Sequence, residues 1–175
     1  RCCQSPTTEH MFPSMTSPSK TAAPRALHIV LDEDEAAGDH ARAEALFGAL
    51  LREPAVDPLA LVGMASLLRQ QGRLRDAVLH CDAALRADPR CADAWLERAF
   101  VLNAGGSMAA ASESYRQVLA LEPANAAAHA GLAALAARDG QADRARTHAA
   151  AALASEPGNA IAAAALATVE IEAGN

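Results

Sequence analysis

From Pro24 to the end of the chain, apolar residues recur at intervals of three and four, which places them on one face of a helix. Leu27, Val30 and Leu31 form the first such stripe, and Ala43, Phe47 and Leu50 the second. Leu61, Met64, Ala65 and Leu68 follow, then Ala77, Cys81 and Ala84. Later stripes hold Ala111, Tyr115 and Val118, then His129, Leu132, Ala133 and Ala136, then Ala145, Ala149 and Ala152. A last helix carries Leu166 and Ile171. No β-branched, alternating run predicts a strand. The chain therefore reads as all-α.

The helices are punctuated at a fixed interval. Gly38, Gly72, Gly106, Gly140 and Gly174 are each 34 residues apart, as are Pro89, Pro123 and Pro157. Glycine takes a left-handed conformation after a helix at no steric cost, so each of the five is expected to end one. Gly38 would close a helix running from Pro24 to about Ala37, with a second from about His40 to Glu53. Pro54 sits one place early in this scheme. Asp57, Ser107, Asn125 and Asn159 read as helix N-caps. The expected units are residues 24–57, 58–91, 92–125 and 126–159, with a partial unit at 160–175. Residues 1–23, rich in Ser, Thr and Pro, read as a disordered tail. Met11 and Met15 both read as starts of the native product, and the unpaired last helix reads as the edge of a fragment.

Trp95, Ala99, Leu102, Gly106, Ala111, Tyr115 and Pro123 stand at spacings that resemble the tetratricopeptide repeat family. Arg98, where leucine is typical, and the alanines of the fourth unit depart from the pattern. The resemblance implies a right-handed superhelix of about four helix pairs plus one unpaired C-terminal helix. It also implies a concave groove lined by each first helix, in which members mostly bind peptides or partner proteins. The matching positions are Arg25, His28, Asp32 and Glu35, then Leu59, Val62, Ser66 and Arg69, then Asp93, Leu96, Phe100 and Asn103. Ala127, Ala130, Ala134 and Arg138 follow, and then Ile161, Ala164 and Thr168. One subset of the family grips a C-terminal carboxylate with groove lysines and asparagines. The lysine is missing here, which disfavours that mode. A peptide with a basic end and an apolar anchor would suit the acidic start and the Leu96–Phe100 centre.

Composition narrows function further. Net charge is −6 and the single lysine, Lys20, lies outside the repeats. No basic stripe points to nucleic acid, and no run approaches the ~20 apolar residues of a membrane span. Without a secretion signal, a cytoplasmic setting is the default. Cys2, Cys3, Cys81 and Cys91 lack metal spacing and read as free thiols. The run Asp32, Glu33, Asp34 and Glu35 reads as a solvated helix end. His129 is expected to be partly buried and not a ligand, while His28 faces the groove. Trp95 and Tyr115 read as packing residues, and Phe100 as a groove hot spot. No nucleophile, metal or cofactor motif appears. The expected role is a non-enzymatic interaction scaffold. The alternative is the N-terminal accessory array of a larger, truncated enzyme, such as a bacterial sulfotransferase or glycosyltransferase. Self-association through the last helix is a further expectation. The fourth unit is expected to be the weakest, because its alanines bury little area.

Overall fold

Four glycines set the turns. Gly72, Gly106, Gly140 and Gly174 have φ of 75°, 77°, 68° and 77°, a region that only glycine enters freely. At the first three, the residue that follows donates its N–H back across the turn. Arg73 reaches the Leu68 carbonyl, Ser107 that of Leu102 and Gln141 that of Ala136, each at 2.8 Å. These bonds satisfy carbonyls that the helix end would leave bare.

The computed structural model describes residues 36–50 and 57–174. Its helices are α1 (Ala36–Leu50), α2 (Pro58–Gln70), α3 (Leu74–Ala87), α4 (Ala92–Ala104), α5 (Met108–Leu121), α6 (Ala126–Arg138), α7 (Ala142–Ser155) and α8 (Ala160–Glu172). Among the described residues there is no strand. Asp57 Oδ1 caps α2 through Leu59 N at 2.9 Å, and Asn125 and Asn159 cap α6 and α8 at 3.0 Å.

Two local expectations are corrected. Gly38 ends no helix; it lies inside α1, which begins at Ala36. A helical glycine costs roughly 1 kcal/mol against alanine, and Ala36, Ala37 and Ala41 around it are strong helix formers. Ser107 holds the N-cap position of α5 but makes no side-chain cap bond. Its backbone is committed to the preceding turn instead. The stripe of Leu27, Val30 and Leu31, the tail and Pro54 lie outside the described residues.

The pairs α2–α3, α4–α5 and α6–α7 form antiparallel hairpins, and successive hairpins stack into a right-handed superhelix of helical repeats. First helices meet across repeats, α2 on α4 and α6 on α8, whereas α3 and α5, or α5 and α7, do not pack in this way. Between α6, α7 and α8 the seam is nearly all alanine: Ala133, Ala145, Ala149, Ala152 and Ala162 are fully buried. Small side chains let these helices close up. α8 keeps Ile161 and Ile171 exposed.

One recurring fit joins the hairpins. The Tyr115 ring lies on Gly131 of α6, and the Phe47 ring lies on Gly63 of α2. Each aromatic precedes its glycine by 16 residues. Where the second helix offers the smaller Cys81, the place of glycine is taken by Glu97.

Candidate functional site

The groove face expected of the first helices has its best-defined part on α2 and α4. The three-four spacing of Val62, Ser66 and Arg69 puts them in one row, and Leu96, Phe100 and Asn103 form the next. All six are partly open. Arg69 ties the rows together. Its Nε donates to Glu97 Oε1 at 2.7 Å, its Nη2 donates to Ser66 Oγ at 3.4 Å, and its guanidinium stands 5.8 Å from the centre of the Phe100 ring. Phe100 meets Tyr115 edge to face, with centroids 6.0 Å apart. Part of the hot-spot surface expected of Phe100 is thus spent on packing, and the ring stays partly open. Asn103 Oδ1 is buried with no hydrogen-bond partner among the described residues.

Other expected groove positions go elsewhere. Ala130 is fully buried, because a methyl group is small enough for the α6–α8 seam to close over it. Arg138 is exposed, and its long side chain donates to Met108 Sδ on α5 at 3.4 Å. Ala127 and Ala134 are half-buried, while Ile161, Ala164 and Thr168 are exposed on α8. Arg25, His28, Asp32 and Glu35 lie outside the described residues.

Sequence reasoning missed three features. Glu97 is buried at 8% exposure and anchors Arg69. Arg98, flagged only as a departure, links three helices. Its Nε donates to Asp82 Oδ1 of α3 and its Nη1 to Ser114 Oγ of α5, both at 2.9 Å. Buried Ser114 in turn donates its hydroxyl proton to the Ala110 carbonyl. The third feature is His148, whose Nδ1 stands 3.1 Å from Nδ1 of His129. His129 Nε2 also bonds the Pro123 carbonyl at 3.0 Å. The signal for Glu97 was its place in the row of Gly63 and Gly131; Arg98 stood out only as a departure from the repeat pattern, and nothing in the sequence marked His148.

Burial dominates the titrations. It pushes the Cys81 thiol up to about 12, so this free cysteine stays an inert packing group. Desolvation, then the charges of His129 and Arg144, holds His148 below its ordinary 6.5, and burial does the same for His80. As pH falls, the unfolded chain therefore takes up protons first. This stability is fully present above pH 6.5 and is lost as pH falls through the folded values. Thermal unfolding midpoints should drop across that window, and His148→Gln should flatten the drop.

Residues of α5, α6 and α7 line a cleft of about 480 Å³ bordered by Ser112, Arg116, Leu132, Arg144 and His148. No described helix is long and apolar enough to cross a membrane.

Helical hairpins stacked on a fixed interval define a solenoid of the kind that presents a binding surface. Residues 32–90 and 62–115 match the tetratricopeptide repeat family model, so the stretch 32–115 is built of tetratricopeptide repeats. Among curated proteins, none matches the chain. Solved structures share the fold. The first repeat domain of Spaghetti (RPAP3), bound to the HSP90 peptide SRMEEVD, superposes with a TM-score of 0.64 at 19% identity, covering 68% of this chain and 94% of that one. TTC0263, a thermophilic repeat protein of Thermus thermophilus, gives 0.67 at 23% identity over 79% and 77%. YrrB, a repeat protein with an unusual peptide-binding site, gives 0.63 at 16% identity over 74% and 66%.

Proposed function

We propose that the chain is a protein-interaction scaffold that binds an extended segment of a partner protein along the inner face of α2 and α4, without catalysis of its own. The observation that carries this reading is Asn103 Oδ1, buried and unpaired beside the half-open Phe100 row. An unmet buried acceptor costs about 1–3 kcal/mol, and a turn of the Asn103 side chain toward an extended peptide would give it a backbone N–H donor. The RPAP3 domain, solved with a peptide, supports the capacity of this fold for such a ligand. The occupant we infer has an apolar anchor for Leu96 and Phe100 and a basic end for the acidic positions Asp32 and Glu35. Arg69 is already paired with Glu97, and no lysine joins it, which argues against a carboxylate grip. A cytoplasmic setting, with reduced thiols, belongs to the same reading.

Peptide arrays, followed by calorimetry on the best binder, test it. Phe100→Ala should weaken binding about tenfold or more. Asn103→Leu should weaken binding while stabilising the free fold by about 1 kcal/mol, since it removes an unmet acceptor. Binding unchanged in both variants would sink the proposal.

A further inference from the structure

We propose that the cleft lined by α5, α6 and α7 takes an acidic side chain of a partner protein, its carboxylate set between Arg116 and His148 and the apolar atoms beside it on Leu132. The 34-residue interval shows what fills the same place one repeat earlier. There Arg98 of α4 lies between two second helices. Its Nε donates to Asp82 Oδ1 of α3 and its Nη1 to Ser114 Oγ of α5, both at 2.9 Å. Counting 34 residues on from Asp82, Arg98 and Ser114 gives Arg116 of α5, Leu132 of α6 and His148 of α7. All three border the cleft of about 480 Å³. The cleft is therefore the place where the arginine bridge of one repeat has no counterpart in the next. Leu132 is shorter than Arg98 and stops before the guanidinium position.

The polarity of the place is reversed. One repeat earlier the wall is the carboxylate of Asp82 and the filling group is a cation. Here the wall is the Arg116 guanidinium, so the complementary filling group is an anion. Arg116 donates through Nη1 to Glu113 Oε2 at 2.7 Å and through Nη2 to Ser112 Oγ at 3.0 Å. That commits two of the five N–H bonds a guanidinium carries. Arg144, also on the border, donates to Gln141 Oε1 at 2.7 Å and adds a second positive charge. Glu113 and Asp139 stand on the same border. The occupant is therefore a single carboxylate, not the higher charge of a phosphate group.

His148 completes the wall. His129 Nε2 bonds the Pro123 carbonyl, which only accepts, so neutral His129 keeps its proton there. Its Nδ1 then accepts from Nδ1–H of His148 at 3.1 Å. Nε2 is the remaining nitrogen of His148, and in the neutral ring it is an acceptor. A carboxylate at that edge brings a second acceptor, so His148 takes up a proton as the occupant binds. The imidazolium then donates from both nitrogens, to His129 and to the carboxylate. Desolvation, then His129 and Arg144, keeps the ring neutral until that happens.

The form of the cleft points to a side chain carried by a protein. Leu132, Leu135 and Ala136 are buried, whereas Glu113, Arg116, Asp139 and Arg144 are exposed. A small free acid would leave this charged border open to water. A partner surface covers it while its acidic side chain reaches the apolar floor.

The test titrates the full, isotopically labelled chain with a blocked peptide holding one glutamate between two leucines, with its glutamine counterpart, and with sodium acetate. The glutamate peptide should shift the signals of Leu132, Ala136 and His148 together, and nitrogen NMR should show His148 gaining a proton on Nε2. The glutamine peptide and acetate should leave these signals in place. An equal response to both peptides, or none at Leu132 and His148, would overturn the proposal. Acetate reproducing the full response would overturn the assignment to a protein side chain. Arg116→Gln, a change at an exposed position, should weaken the glutamate peptide roughly two- to fivefold. The triple variant Arg116→Asp, Leu132→Arg and His148→Ser copies the earlier bridge into the cleft and should abolish the response; a full response in it would also sink the idea. The readout on the unaltered chain stands even if this variant fails to fold.

Discussion

Tyr115→Ala is expected to destabilise the chain by about 3–5 kcal/mol, the range for removing a large aromatic from a core. Among the described residues Tyr115 is the largest fully buried side chain, at 1% exposure. It stands on α5 but its ring lies on Gly131 of α6 and meets Phe100 of α4. α4 and α6 do not pack on each other as α2 and α4 do, so this ring is the spacer between them. Burial holds its phenol up to about 12, and the group stays neutral at any ordinary pH. Urea unfolding gives the magnitude. Tyr115→Phe, which keeps the ring, should retain most of the stability. A loss below about 1 kcal/mol for the alanine variant would mean that α4 and α6 collapse together without it. The same truncation removes the edge that orients Phe100, so peptide binding should weaken in step.

The repeat was legible because turns and caps are local. Gly72, Gly106 and Gly140 announce their own conformation, and Asp57, Asn125 and Asn159 bond N–H groups two or three residues away. Gly38 misled because phase alone does not force a positive φ; strong helix formers on both sides won. Gly63 and Gly131 carried no turn signal. Their meaning lies in an aromatic on the previous hairpin, which no local rule reads. Arg98 and the His129–His148 contact escaped for the same reason, since their partners depend on how hairpins stack. In the candidate site, the partial exposure of Arg69 and Phe100 was legible from helix phase, but the burial of Glu97 was not. Ala130 and Arg138 left the groove by virtue of size: one lets neighbours close over it and the other reaches a different helix. The cavity cost of a large-to-alanine change assumes fixed surroundings, and here fully buried alanines line a seam that has already closed.

Gly131→Ala is expected to destabilise by about 1–3 kcal/mol, the usual penalty of overpacking. The sign is the point. Glycine to alanine in a helix interior ordinarily gains roughly 1 kcal/mol, and Gly131 lies mid-helix in α6 without a positive φ. A Cβ there would run into the Tyr115 ring, which is itself buried and cannot swing away. Gly48 in α1 supplies the control, because a Cβ there meets nothing within 4 Å. Gly48→Ala should therefore stabilise the chain by up to about 1 kcal/mol. The cause is isolated by combining the change with Tyr115→Ala. Once the ring is gone, the added methyl has space to fill, so the double variant should be more stable than the sum of the two losses by about 0.5–3 kcal/mol. Strict additivity would show that Gly131 is required for some reason other than this ring. Favourable coupling would make the aromatic–glycine contact the element that sets hairpin spacing, and the same double variant at Phe47 and Gly63 should then repeat it.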